Sequence, residues 1–354
     1  MKSVYIASTH GSGGKTTLSV GLCLALRRRG LHVGYFKPVG TLAAHSGDVV
    51  VDEDAAFVGG LLGLDDAPAD LCPVVLDEDA LHDVLTGTDV DAMSRVEEAF
   101  ARVSAGKDVI VCEGLGEIWQ GRFLRTSGTE VVRRLGLRTV LVAKYAGARL
   151  LDDICYVKDA LKANFLGVIF NMVPESRLAV VRDDYAAFLA KSGVANYGIV
   201  VSNNRLSAVS VDEIVTALGG TYVCGERYGG RPAETYMIGA MSPEHALRYF
   251  QLTPSKVVIV GGDRAEIILA ALDTPTVAVV LTGNYVPSAA VLSRAEEAGV
   301  ALVSVEGDTV TAADGLRRLF GRLRVSDRGK IDLINGIIDK CVDVDRLIGD
   351  LQDG

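Results

Sequence analysis

The sequence predicts an α/β protein: a doubly wound, mostly parallel sheet followed by a second, smaller α/β domain. Three observations predict it. Short, nearly continuous apolar runs alternate with helical patterns from Met1 to about Ser202, as expected when helices cover both faces of a parallel sheet. A glycine-rich turn, His10-Gly11-Ser12-Gly13-Gly14-Lys15-Thr16-Thr17, joins the first run to the first helical pattern. After a weaker segment at 203–234, which carries Gly219-Gly220 and Gly229-Gly230, the strand and helix alternation resumes on a smaller scale.

The first strand is expected at 3–7, then the turn, then a helix at 18–29 closed by Gly30, a residue that accepts the left-handed backbone of a helix end. Further strands are expected at 32–36, 108–112, 139–144, 166–171 and 197–201. Lys15, Lys37, Glu113 and Asn171 lie just after four different strands. In doubly wound sheets the ligand crevice lies outside the carboxyl ends of the strands, so these four are expected on one rim. In the second half, Ser242-Pro243-Glu244 opens a helix with a serine cap, a first-turn proline and an early acid. Strand 256–260 leads into Gly261-Gly262-Asp263-Arg264 and helix 265–272, and strand 276–281 ends in Thr282-Gly283-Asn284. Helix 288–298 and strand 301–305 follow. The tail at 330–351 spaces Ile331, Ile334, Ile338, Leu347 and Ile348 as a helix does, and is expected to pack on a neighbour or a second subunit. The domains are expected at 1–205 and 206–325, with a helical tail at 326–354.

The length of 354 residues suits about two domains, and 49% hydrophobic residues can bury a large core. No apolar run reaches the ~18 residues of a membrane span, and the N-terminus goes straight into a strand, so a soluble cytoplasmic protein without a leader is expected. A net charge of -9 without a basic tract argues against nucleic acid as a partner. The six cysteines are scattered and mostly apolar in context, which fits reduced core thiols rather than disulfides or zinc.

The chemistry concentrates at the turn. A helix N-terminus presents N–H groups to an anion, and glycines let the backbone approach phosphate oxygens. Lys15 is placed to reach the β- and γ-phosphates and the Thr16 hydroxyl to take one Mg²⁺ position. The glycine usual four residues before Gly14-Lys15 is Thr9 here. Lys37, opposite the loop, reads either as a cation for the triphosphate or an anionic substrate, or as an exposed loop lysine. Asp48, Asp52, Glu53 and Asp54 form an acidic cluster in which carboxylates could serve Mg²⁺ or remain solvated. Glu113 ends an apolar strand where a second Mg²⁺ contact belongs, and Gly114 and Gly116 allow the next loop to approach a γ-phosphate. Asn171 can donate and accept toward a nucleobase, or simply form a turn. His10 is a weaker phosphate contact. Trp119 reads as part of a lid, a dimer contact or a surface anchor.

With these residues assembled, 1 to about 205 resembles the dethiobiotin synthetase-like branch of the P-loop NTPases, related to the MinD/ParA group. The carrying residues are Ser8 to Thr16, Gly34-Tyr35-Phe36-Lys37-Pro38, Asp54-Ala55, Glu113-Gly114-Leu115-Gly116 and Gly167-Val168-Ile169-Phe170-Asn171. The resemblance implies an ATP-binding loop (His10 to Thr17, with Glu113, Gly114 and Asn171 around the nucleotide) and Mg²⁺ held by Thr16, Asp54 and Glu113. It also implies catalytic roles for Lys15 and Lys37, and base contact by Asn171. His10 stands where the MinD/ParA group has an early lysine. Residues from about 215 to 325 resemble the DRTGG domain through Gly262-Asp263-Arg264 and Thr282-Gly283-Asn284, with Asn284 replacing the final glycine.

This order is similar to the N-terminal, regulatory region of long phosphotransacetylases. Because the resemblance fills nearly the whole sequence, acetyl transfer is not expected. The expected function is a nucleotide-responsive regulatory or sensor protein that binds ATP and Mg²⁺. The alternative is an ATP-dependent ligase that phosphorylates a small carboxylate or carbamate, and slow ATP hydrolysis fits either. Expected partners are nucleotide, a small anionic metabolite and a second copy in a homodimer, paired through the loop after Glu113 or the terminal helix.

Overall fold

The computed structural model describes residues 2–46, 49–87, 91–206, 208–320 and 328–352. It divides into two compact units, Met1–Ser202 with Arg324–Gly354, and Asn203–Leu323.

Unit 1 is built on β1 (Lys2–Ser8), α1 (Lys15–Arg28), β2 (Val33–Phe36), α2 (Glu53–Leu62), α3 (Ala92–Ser104), β3 (Val109–Glu113), α4 (Gly128–Leu135), β4 (Arg138–Lys144), α5 (Arg149–Leu161), β5 (Phe165–Val173) and β6 (Ala195–Val201). Its six-stranded sheet runs β6-β5-β4-β1-β3-β2, and every pairing is parallel. The strand interiors are almost wholly buried, which explains why they read as continuous apolar runs rather than alternating ones. Register sets the site: Ile6 lies beside Glu113, and Lys144 lies beside Asn171.

Helix α1 follows Gly14, which is left-handed with φ 84°. Its buried face carries Leu18, Leu22, Cys23, Ala25 and Leu26, and Arg27 and Arg28 occupy its last turn, where cations favour the helix dipole. Asp52 caps α2 by accepting from the Ala55 N–H.

Unit 2 contains α6 (Val211–Leu218), β7 (Thr221–Cys224), β8 (Thr235–Ile238), α7 (Pro243–Leu252), β9 (Lys256–Gly261), α8 (Ala265–Leu272), β10 (Thr276–Thr282), α9 (Ala289–Ala298), β11 (Ala301–Val305) and α10 (Thr309–Leu319). The sheet order is β7-β11-β10-β9-β8. β7 is an antiparallel edge on an otherwise parallel sheet. The segment read as a weak separator therefore supplies a capped helix and an edge strand to unit 2. Its strand is only half-buried, so it lacks the apolar run that marks a central strand. Pro243 does begin α7, but the Ser242 hydroxyl sits on His245 Nδ1 at 2.9 Å rather than capping the helix.

Helices α11 (Arg328–Cys341) and α12 (Val344–Asp350) return to unit 1. The tail, expected to pack on a neighbour or a second subunit, packs on α1 of the same unit. Ile334 and Ile338, each 1% exposed, fill the notch over Gly21 of α1, where a Cβ would meet Ile338 Cγ1 at 2.4 Å. Burying each isoleucine contributes about 1.5–3 kcal/mol. All six cysteines are free.

Candidate functional site

The turn after β1 keeps an open set of donors. Gly13 N–H donates to the His10 carbonyl, and the Ser8 hydroxyl donates to the same carbonyl, at 3.1 and 3.0 Å. By contrast, the N–H groups of Ser12, Gly14, Lys15, Thr16 and Thr17 form no hydrogen bond among the described residues. They are the first donors of a helix, which have no partner inside it. The loop is shaped by contacts that exclude side chains. A Cβ on Gly13 would lie 2.3 Å from Ser8 Oγ, and one on Gly14 would lie 2.3 Å from Asn171 Nδ2. This is a cradle of unpaired N–H groups without side chains in the way, which fits an anion of phosphate type.

The four strand-end residues do meet around this loop. Lys15, 6% exposed, donates to the Gly116 carbonyl. The Thr16 hydroxyl donates to Glu113 Oε1 at 2.6 Å, and the Tyr35 hydroxyl donates to Glu113 Oε2 at 3.0 Å. Lys37 pairs with Asp52 at 2.7 Å and Asp54 at 2.9 Å. Asn171 Nδ2 donates to the Gly13 carbonyl at 2.8 Å, which ties β5 to the loop. His10 Nδ1 lies 3.2 Å from the Thr9 hydroxyl.

The electrostatics follow from burial and partners. Burial lowers the Lys15 pKa, and Lys37 adds to that, against the pull of Glu113 and Glu117. Glu113 is raised above the ordinary carboxylate range by burial, with Asp54 adding to the shift and Lys37, Thr16 and Lys15 opposing it. For Lys37 burial is overcome by Glu113, Asp54 and Asp52, and its pKa is raised. An ammonium on a neutral carbonyl and a buried acid on a hydroxyl are groups whose charged forms an arriving anion and cation would stabilise.

The acidic cluster separates into different roles. Asp52 is fully buried, where it pairs with Lys37, caps α2 and accepts from the Leu42 N–H at 3.2 Å. Glu53 is exposed and Asp54 half-buried, and Asp48 lies outside the described residues. Among the described residues no group of three or more His, Cys, Asp or Glu could hold a metal ion. A Mg²⁺ site here would rest on Thr16 and one or two carboxylates beside phosphate oxygens, the usual sharing for this ion. Trp119 is 42% exposed, with its indole N–H on Glu117 at 3.1 Å.

Two site residues escaped the sequence reading. Tyr35 holds Glu113, and Lys144 Nζ reaches the Ser12 hydroxyl at 3.2 Å. Lys144 ends a strand, as Glu113 does, and that position could have marked it. In unit 2, Arg264 donates to the carbonyls of Gly239 and Met241 at 2.7 and 3.1 Å.

The parallel sheet, the glycine loop and the Lys15–Thr16 pair at the start of α1 define a P-loop NTPase domain. The chain belongs to the AAA domain family, whose profile matches residues 2–210. A DRTGG domain profile matches 213–319. Phosphate acetyltransferase of Pseudomonas aeruginosa is 25% identical over 372 residues, covering 98% of this chain and 52% of that protein. ATP-dependent dethiobiotin synthetase BioD of Caldicellulosiruptor saccharolyticus is 31% identical over 118 residues, covering 33% of this chain and 49% of that protein. The septum site-determining protein MinD of Pyrococcus horikoshii, solved with Mg-ADP, overlays with TM-score 0.34 at 18% identity, covering 58% of this chain and 83% of that one. The chain thus joins a dethiobiotin synthetase-like P-loop domain to a DRTGG domain, as in the N-terminal region of long phosphotransacetylases, and spans about half the length of the curated phosphate acetyltransferases it matches.

Proposed function

We propose that the chain binds ATP with Mg²⁺ at the loop of unit 1 and works as a nucleotide-responsive regulatory protein. The observation that carries this reading is the set of N–H groups of Ser12, Gly14, Lys15, Thr16 and Thr17, unpaired among the described residues, beside the buried Lys15 ammonium. In this reading the amides and Lys15 grip the phosphates, while Thr16, Glu113 and Asp54 hold Mg²⁺, which neutralises phosphate charge. Asn171, whose Nδ2 is already on Gly13, keeps its carbonyl oxygen for the base, and His10 borders the phosphates. The protein is cytoplasmic and homodimeric in this reading. No helix among the described residues is long and apolar enough to cross a membrane.

Isothermal titration with ATP and ADP, with and without Mg²⁺, tests it. Mg²⁺-dependent binding is expected, weakened about a hundredfold or more in Lys15→Ala through loss of a charge-assisted contact. No binding, or binding untouched in both Lys15→Ala and Thr16→Ala, overturns it.

The similarity to dethiobiotin synthetase and the placement of Lys37 at the same rim favour a second reading, an ATP-dependent ligase acting on a small anionic metabolite. Lys37 would then stabilise charge on a transferred phosphoryl group after releasing Asp54. ADP release stimulated by one carboxylate or amine in a metabolite panel, and lost in Lys37→Ala, selects this reading. A flat rate across the panel rejects it.

A further inference from the structure

Unit 1 carries an open pocket at the end of its sheet away from the loop. It offers about 220 Å³ and is lined by Arg138, Phe165, Leu166, Tyr197 and Asp350. Arg138 and Phe165 are the first residues of β4 and β5. Lys144, at the other end of β4, is the residue that reaches Ser12. Six strand steps separate Arg138 from Lys144, or about 20 Å.

Arg138 is the unusual member of this pocket. Its Nε is buried without a hydrogen-bond partner, and its guanidinium makes no ion pair among the described residues. An arginine has only donors and stays charged; Arg138 as a whole is half-buried, but its buried Nε calls for an acceptor. The pocket also holds one carboxylate. Asp350 Oδ2 accepts from the Tyr197 hydroxyl at 2.6 Å and lies 3.8 Å from Arg346 Nε. Asp350 Oδ1 has no hydrogen bond among the described residues. Phe165, Leu166 and the Tyr197 ring supply the apolar wall.

We propose that this pocket binds a free α-amino acid, its carboxylate on Arg138 and its ammonium on Asp350. Charge decides among the ligand classes. A phosphate dianion would satisfy Arg138 but meet the Asp350 carboxylate. A simple amine would satisfy Asp350 and leave Arg138 unpaired, and an apolar ligand would leave both. A zwitterion satisfies both, and its side chain meets the apolar wall. The volume falls below the ~300–1,000 Å³ of drug-sized sites and suits a ligand of amino-acid size. Because Asp350 lies on α12 and Arg138 on β4, the bound ligand joins the C-terminal helices to the sheet. This proposal does not depend on the nucleotide reading.

The test is titration calorimetry on the full chain with each of the twenty common L-amino acids, and with acetate, methylamine and inorganic phosphate as partial probes. At least one amino acid is expected to bind saturably, about tenfold or more tighter than acetate or methylamine. Arg138→Gln and Asp350→Asn should each weaken it about tenfold or more, while Lys15→Ala leaves it unchanged. Circular dichroism checks that the variants fold, and if Arg138→Gln does not, Asp350→Asn decides alone. Silence of all twenty at about 10 mM, where a millimolar Kd would register, overturns the proposal. So does binding that survives the substitutions, or phosphate as the tightest probe.

Discussion

Two buried lysines, one in each unit, are pushed in opposite directions. Lys37 in unit 1 is 5% exposed and meets Asp52 and Asp54 at 2.7 and 2.9 Å. Lys256 in unit 2 is 0% exposed, and among the described residues its ammonium meets only the Thr274 hydroxyl at 3.0 Å and the face of Phe250 at 5.7 Å. Burial disfavours the charge on both. At Lys37 the carboxylates of Glu113, Asp54 and Asp52 overcome it and the pKa rises. At Lys256 burial stands unopposed and the pKa is pushed down to about 8. Partners rather than depth decide the charge state. Unit 1 collects charge of both signs at the rim where a polyanion is proposed to bind, whereas Lys256 of unit 2 sits at the start of a strand with no carboxylate beside it among the described residues.

The largest effect should come from breaking the paired lysine. Asp52→Ala leaves Lys37 with Asp54 as its one direct partner among the described residues, uncaps α2 and frees the Leu42 N–H, so chemical denaturation should show unit 1 losing about 3–5 kcal/mol, the scale of a broken buried pair. An unchanged transition would remove Lys37 as the paired case. The unpaired lysine should respond with the opposite sign. Lys256→Met should stabilise unit 2 at pH 7 by up to about 3 kcal/mol. The folded pKa lies near 8 and the ordinary value is 10.5, so between them the unfolded chain binds the extra proton and wild-type stability rises with pH. The advantage of Lys256→Met should therefore shrink over that window in melts at stepped pH, and a gap independent of pH would refute the shift.

Smaller effects bound the comparison. Gly14→Ala imposes φ 84° on alanine and drives its Cβ to 2.3 Å from Asn171 Nδ2. The backbone share is about 1–2 kcal/mol, with nucleotide affinity expected to fall alongside thermal stability. Arg28→Ala removes an exposed pair with Asp339 at 2.5 Å. Such pairs contribute about 0.2–1 kcal/mol, so thermal melts should barely move if charge partners matter chiefly when buried.

Much of this was legible in the chain. The strand at the start, the Gly14-Lys15-Thr16 turn and the runs ending at Glu113 and Asn171 are local patterns, and each strand expected from them lies within a few residues of its place, whereas β7 and β8 of unit 2, which lack long apolar runs, were not expected. The gathering of Lys15, Lys37, Glu113 and Asn171 followed from the rule that strand ends share a rim. Asp52 was indistinguishable from its acidic neighbours, because its burial depends on Lys37 and on the cap of α2. The C-terminal helices showed their apolar spacing but not its target, since the notch at Gly21 lies more than 300 residues earlier in the chain.

The sequence by itself determined where strands, helices and the phosphate-type turn begin and end, because periodicity, glycine and capping act between near neighbours. Only the tertiary structure decided which charges are paired. Lys37 gained two acids, Lys256 and Arg138 gained none among the described residues, and Tyr35 came to rest on Glu113. Those outcomes depend on distances between remote segments and on how much water the packing excludes, and neither quantity is written in any local stretch of residues.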